Sequence, residues 1–402
     1  MSDAQDLSKI RFQFKRQSAV GTPESGAGGH ALELLPSGQG LQSQFQTIES
    51  GLIKRNKMKK RPRRGSSSAS AGYETELVPG VFEELGLGVL GADDWVAQID
   101  LDESDLTSAT ISGTGTVCTF GGGDLEALGF LRGQFVRFGS LSVAGNNAKW
   151  VPVIDVDYAA KTITFPSGYL ADNTSDTAFT IAIARHMYTP ATYQDNVYSC
   201  EEYAETLDRS KFVADALFNS LVFNESPSAP TRISFGIGAR LLEMKASGAS
   251  PVFTSPTLPT GESLVLLDGG IFLNGVKRTD LTAFTMGITA PVSTTAVIGS
   301  LTGPAAKKGT FAFAGSMSGV VLDGTDFDAV AADDDLAVVC HYKDKQTEAG
   351  IGVYAGNLGF GGYGSGAAGE GDQIQQVTLY GGDDDTGEGS AQTTFLISDL
   401  TA

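Results

Sequence analysis

Hydrophobic and polar residues alternate over short runs along most of the chain, the period of a strand with one buried face. The first run is Ile10 to Arg16, where Ile10, Phe12 and Phe14 alternate with Arg11, Gln13 and Lys15. A polar Gly/Ser/Pro loop is expected at Val20 to Gly29, then further segments at Ala31 to Pro36 and at Leu41 to Ile53, the latter with Gln and Ser interleaved. A basic run interrupts, and alternation resumes at Tyr73 to Val78, so these segments read as one long hairpin with the basic run at its tip. Pro79 stands at a helix start; Val81, Phe82, Leu85 and Leu87 to Leu90 predict a short apolar helix, weakened by its glycines.

From Asp105 to His186 the idiom becomes Thr, Gly, Val and Phe with tight turns such as Ala144-Gly145-Asn146-Asn147. Strands are predicted at Ala109 to Phe120, Gln134 to Leu141, Trp150 to Val156, Thr162 to Phe165 and Ala178 to Arg185. This spacing favours a compact barrel or sandwich, a module of its own. Strand patterns return at Tyr198 to Leu207, Leu217 to Phe223 and Thr231 to Glu243. A Pro/Ser/Thr-rich connector, Ala246 to Glu262, marks a boundary. Beyond it, strands are predicted at Ala283 to Ile288, Lys308 to Met317, Leu336 to Tyr342, Ile351 to Phe360, Gln373 to Tyr380 and Thr393 to Ile397.

At 402 residues the chain exceeds one typical core and favours two or three domains. Its formal charge is −19, yet eight of its 28 basic residues fall between Lys54 and Arg64, leaving the rest strongly anionic. An anionic body repels nucleic acid, because phosphate binding depends on Lys and Arg. Cys118, Cys200 and Cys340 are far apart and form no CxxC pair, so buried free thiols are expected in place of a disulfide framework or zinc site. The start is polar, and nothing approaches about 18 continuous apolar residues, which points away from a membrane span and toward folding in a reducing cytoplasm.

Several features invite a chemical reading. The run Lys54, Arg55, Lys57, Lys59, Lys60, Arg61, Arg63 and Arg64 suits a solvated loop, a DNA contact or docking onto an acidic neighbour. The chain supplies such acidic groups itself, at Asp323, Asp326, Asp328, Asp333, Asp334 and Asp335, and at Asp383 to Asp385. Neither cluster has the spacing of an EF-hand, so solvated turns are expected and no metal. Gly359 to Gly371 lacks the strand-before, helix-after context of a phosphate loop and reads as a flexible hairpin loop. His30, His186 and His341 share no catalytic spacing, so no enzyme and no cofactor is expected.

The order of elements resembles the tail tube proteins of long-tailed, siphovirus-like bacteriophages. The opening is similar: a strand, a loop after Gly21-Thr22-Pro23, and Ile48-Glu49-Ser50-Gly51 leading into a charged hairpin arm. Gly72-Tyr73-Glu74-Thr75-Glu76-Leu77 looks like the family's returning strand and Phe82-Glu83-Glu84-Leu85 like its short helix. Tyr198 to Tyr203 looks like its strand ending in an acidic pair, and Leu217 to Leu221 like the turn that follows. Thr282 to Ile288 resembles the strand that opens a second tube domain; Gly371-Asp372-Gln373 before Val377-Thr378-Leu379-Tyr380 resembles its late strand, with a Gly-rich stretch ahead of it in place of the usual Pro-Arg or Pro-Lys.

The resemblance implies an all-β fold with minor α content. Two tube-type β-sandwich or barrel domains are expected: the first at 1–100 and 190–245, split by a small β-barrel or Ig-like module at 101–189 on the exterior. A linker at 246–262 would lead to the second, 263–402. It further implies a tail tube subunit of the virion, assembled in the host cytoplasm, forming stacked rings with an acidic lumen for DNA ejection. The ring expected is a trimer with pseudo-sixfold symmetry, a hexamer being the other option. Implied partners are further copies of the chain, the tape measure protein, and the tail terminator and distal tail proteins, with viral DNA passing unbound. The basic run is then the contact arm, and Asp323, Asp326, Asp328, Asp333, Asp334 and Asp335 its partners or lumen residues. Alternative readings are another tail structural protein, distal or decorating, and a β-sandwich adhesin or carbohydrate-binding protein.

Overall fold

The computed structural model of the chain describes residues 9–50, 58, 61–80, 82–189, 193–227, 229–259, 261–295, 297–298, 300, 303–321, 325–332, 335–344, 347–367, 373–382 and 395–401. Their regular structure is mostly β, with three short α-helices at Phe82–Leu90, Glu103–Leu106 and Thr325–Ala332.

Eight strands form one continuous antiparallel sheet. In spatial order they are Gly38–Ile48, Arg63–Glu76, Arg232–Ala239, the second half of Arg209–Glu225, Leu281–Thr289, Ala312–Val320, Gln373–Gly381 and the second half of Gly350–Ala367. Arg209–Glu225 and Gly350–Ala367 are long because each crosses between two layers. Residues 209–216 pair with Tyr198–Ala204, and 210–213 also with Leu242–Lys245, in a second layer. Residues 350–358 pair in the same way with Leu336–Lys343, and 351–355 with Phe395–Asp399. Each crossing carries the same two irregularities: a left-handed residue, Asp215 at φ 52° or Asn357 at φ 49°, then a bulge, Phe218/Ser220 or Phe360/Gly362. Asp and Asn tolerate that backbone, and a bulge bends the strand it interrupts.

The matching irregularities belong to a repeated plan. A hairpin, a helix, a second-layer strand, the bent strand, a main-sheet strand and a second-layer strand follow one another twice. The helices are Phe82–Leu90 in the first repeat and Thr325–Ala332 in the second. Between the layers lies one apolar core that includes Phe12, Phe14, Tyr198, Phe218, Phe235, Met286, Val353 and Ile397. Phe82–Leu90 packs tightly because it has glycines: a Cβ on Gly88 would meet the Phe218 ring at 2.7 Å and the Tyr198 ring at 2.9 Å. The glycines that lower helix propensity are therefore the ones that let the helix sit on the aromatic floor.

Residues of the predicted module fold around a separate core that includes Phe120, Phe130, Phe138, Val151, Phe179 and Ile181. Two four-stranded sheets enclose it, one of them built from Ile99–Asp102, Thr180–Ile183, Phe135–Gly139 and Trp150–Pro152. The single strand expected at Ala109 to Phe120 is a hairpin, Ala109–Ser112 with Val117–Phe120, turned by Gly113, Thr114 and Gly115 in the left-handed region. Though inserted in the first repeat, the module rests on the second. Phe135, Trp150 and Ala184 pack with Phe272, Val339, Tyr354 and Leu396, on the side of the second layer turned away from the eight-stranded sheet. A Cβ on Gly352 would lie 2.1 Å from the Phe135 ring, so this contact requires glycine.

Three loop expectations change. Gly359 to Ala367 is strand and not a hairpin loop, while 368–371 lies outside the described residues. Phe360 and Tyr363 supply its core face, and the glycines occupy the opposite face, where packing asks for no side chain. The expected Val20 to Gly29 loop gives way at Gly26 to the strand Gly26–Leu32. The Pro-rich connector contains Phe253–Thr257, which pairs in parallel with Gly26–Leu32. The buried Glu201 carboxylate anchors it by accepting from the backbone N–H of Val252 at 2.8 Å, the N–H of Phe253 at 3.1 Å and the Ser210 hydroxyl.

Candidate functional site: two open sheet edges and a charged arm

The two repeats meet strand to strand, Ser220 to Glu225 pairing antiparallel with Thr289 to Phe284. At the outer limits of the same sheet, Gly38–Ile48 is paired only with Arg63–Glu76, and residues 359–367 only with Gln373–Gly381, among the described residues. Rows of N–H and C=O groups without a ladder partner are a template for another strand. These two edges are also counterparts of the pair already joined: Gly38–Ile48 corresponds to Leu281–Thr289, and 359–367 to the second half of Arg209–Glu225. Glu202 fixes the first edge at its base, accepting from the Leu41 N–H and the Tyr73 hydroxyl, both at 2.8 Å, and from Lys211 Nζ at 2.6 Å.

Because side chains alternate along a strand, the face of this sheet opposite the core can be read from its register. It carries short uncharged groups, among them Gln44, Ser70, Ser234, Ser316, Thr378 and Gly364. Its charged members include Glu74, Glu76 and Arg232, with Arg232 directly opposite Glu76.

Of the basic run, Lys54, Arg55, Lys57, Lys59 and Lys60 lie outside the described residues. Arg61 is exposed, while Arg63 and Arg64 already belong to the return strand, opposite Ile48 and Thr47. The described end of the run is thus strand from Arg63 onward. The Arg64 guanidinium lies 4.5 Å over the Phe45 ring. Among the acidic candidates, Asp323, Asp333 and Asp334, like Asp383 to Asp385, are outside the described residues. Asp328 and Asp335 are exposed. Asp326 is not a free acidic contact: it is buried, accepts from Arg278 at 2.6 and 2.7 Å and also from Gln375, and Arg278 binds Asp280 as well. It holds the helix Thr325–Ala332 to the core side of the sheet.

Lys308 was not singled out in the sequence, and Glu201 and Glu202 only as the acidic pair of the resemblance. Lys308 is held at the C-terminal end of the helix Phe82–Leu90, where it donates to the carbonyls of Gly88 at 2.7 Å and Val89 at 3.1 Å. Burial lowers its amine to about 7, with Asp195 pulling the other way. A sequence signal for it exists: Lys307-Lys308-Gly309 repeats Arg63-Arg64-Gly65. The three cysteines are buried and free, and burial pushes their thiols up. His341 is lowered to about 3 by burial and, secondarily, by Lys343 and Lys277. No helix among the described residues is long and apolar enough to cross a membrane.

Layered sheets with matching open edges are features of a structural β-protein. A family model for phage tail tube proteins matches residues 8–381, and the chain belongs to that family. Membership makes it a structural protein of a phage tail, a component of the virion, in a family that is not an enzyme family. No curated protein matches the chain.

Proposed function

We propose that the chain is the subunit of the tail tube itself, and that three copies close into a ring of six similar units whose rings stack around a DNA channel. The single observation carrying this reading is the strand pairing between Arg209–Glu225 and Leu281–Thr289 within one chain, together with the same two kinds of edge left open at the sheet's limits. Repeating that pairing from chain to chain uses up both open edges of this sheet, which removes the aggregation liability of open strands. Both repeats present an edge, which favours three chains over a hexamer in which only one repeat takes part. Eight strands per chain then give a barrel of twenty-four, larger than the 16 to 18 strands that already leave an aqueous channel in porins.

The channel lining in this arrangement is a face rich in Gln, Ser, Thr and Gly, with Glu74, Glu76 and Arg232 among its charged members, in place of the acidic lumen expected above. DNA passes it because each phosphate bound by Lys or Arg would add salt-dependent affinity, and that face has few such groups. The anionic surface elsewhere opposes binding of DNA to the outside. The inserted module, which rests on the layer away from this face, occupies the exterior. The tape measure protein and the tail terminator and distal tail proteins are the remaining partners of such a tube.

Electron microscopy of the purified protein combined with a designed cross-link tests the reading. The repeat places Gly364 of one chain opposite Gln42 of the next, as Val222 lies opposite Gly287. Oxidised G364C/Q42C protein is expected to form covalent oligomers in rings or tubes. Uncross-linked monomers at concentrations where the parent is imaged would sink the proposal.

A further inference from the structure

The strand register relates the hairpins of the two repeats, and counting along each strand extends the relation to their arms. Ile237 and Leu379 occupy the same place beside the two matching bulges, opposite Phe218 and Phe360. Their partners on the hairpins are Ala71 and Gly315. Counting back seven residues from each reaches Arg64 and Lys308, and the neighbours agree, Arg63-Arg64-Gly65 beside Lys307-Lys308-Gly309.

Lys308 shows what this position does when its neighbour is present. Besides its bonds to Gly88 and Val89, it lies over the rings of Tyr193 and Phe311, at 5.2 and 5.7 Å. Val292 and Ala306 of the same arm pack with Val197 and Leu217 of the first repeat. An amine on the last carbonyls of a helix satisfies groups that have no partner within it and complements its dipole.

The receiving surface also has a counterpart. Tyr198 and Leu336 each stand just before a register shift at the same place in the second layer, opposite Ala216 and Leu358. Val197 therefore corresponds to Asp335, and the helix Phe82–Leu90 to Thr325–Ala332. The apolar Val197 of the join within the chain is replaced by an exposed carboxylate where the next chain would dock.

We propose that Arg63 and Arg64 of one chain dock on the C-terminal end of the helix Thr325–Ala332 and on Asp335 of a second copy, as Lys308 docks within the chain. This rests on the ring reading above and specifies its seam. The join inside a chain is covalently tethered and uses apolar contact. The join between chains is made between separate molecules, where opposite charge steers encounter and fixes register.

The test starts from the G364C/Q42C protein, adding R63E/R64E and then D335K. The arginine reversals are expected to lower the oxidised cross-link at least tenfold and to abolish rings, with circular dichroism and melting temperature unchanged. Adding D335K should restore both. An arginine-reversed protein that cross-links like its parent overturns the seam and leaves the ring standing. So does loss of cross-linking that D335K fails to restore while the parent still cross-links. A parent that never cross-links overturns the ring reading and the seam with it.

Discussion

The ammonium of Lys308 donates to the carbonyl of Gly88 at 2.7 Å across 220 residues of sequence, tying the arm of the second repeat to the helix of the first. Burial lowers this amine to about 7 from 10.5. Between those values the unfolded chain holds a proton that the folded chain lacks, so stability climbs as pH rises from about 7 toward 10.5. The penalty is complete below about 7. K308M is expected to remove this climb, shown by urea midpoints that no longer differ between roughly pH 7 and pH 9.5. An unchanged climb would separate the pH dependence from Lys308.

Glu225 predicts the opposite slope at lower pH. Its carboxyl is raised to about 7 by burial, which outweighs the opposing hydrogen bonds from Thr231 and Tyr342. The folded chain keeps a proton that the unfolded chain releases above about 4.5, so this stabilisation is complete below 4.5 and lost as pH rises through about 7. E225Q should flatten the fall across that window, a difference of roughly 3 kcal/mol by the free-energy equivalent of the shift. Equal pH profiles for variant and parent would refute the assignment.

The cluster of partly buried Arg278 and Asp280 with buried Asp326 is a third point of measurement. Removing Arg278 leaves two carboxylates side by side without a counterion, at a cost of up to about 3 kcal/mol. R278M is therefore expected to unfold at much lower urea concentration than the parent, and D328A, on an exposed site of the same helix, to unfold near it. Similar losses in both variants would mean that the helix and not the ion cluster sets the stability.

Asn357 tests the bend between layers. At φ 49° a β-branched residue is strained, so N357V should cost about 1–2 kcal/mol and N357G little. Equal stabilities for the two would exclude backbone strain as the reason for Asn at this crossing.

Much of the architecture was legible because alternation survives wherever one face of a strand is buried, as at Phe12 and Phe14 or Val377 and Leu379. The glycines of 359–367 broke that pattern. They mark a face with nothing to pack against, and low hydrophobicity there was indistinguishable from a loop. The hairpin turn at Gly113 to Gly115 was hidden inside a run of Thr, Ser and Val that suits a continuous strand equally well. The arm was visible as charge, but its relation to Lys308 was not. Three basic-glycine residues are too few to align by eye, and only the strand register makes Arg64 and Lys308 equivalent. Asp326 failed as a contact candidate because nothing in sequence places it beside Arg278, 48 positions away.

The contact between the inserted module and the second repeat has a consequence for symmetry. Phe135 and Trp150 belong to a module inserted in the first repeat yet rest against Tyr354 and Leu396 of the second, so one module links two units of the same chain. In a ring built from three chains, adjacent units are alternately linked and unlinked on the outside, and compliance to bending is concentrated at the unlinked seams.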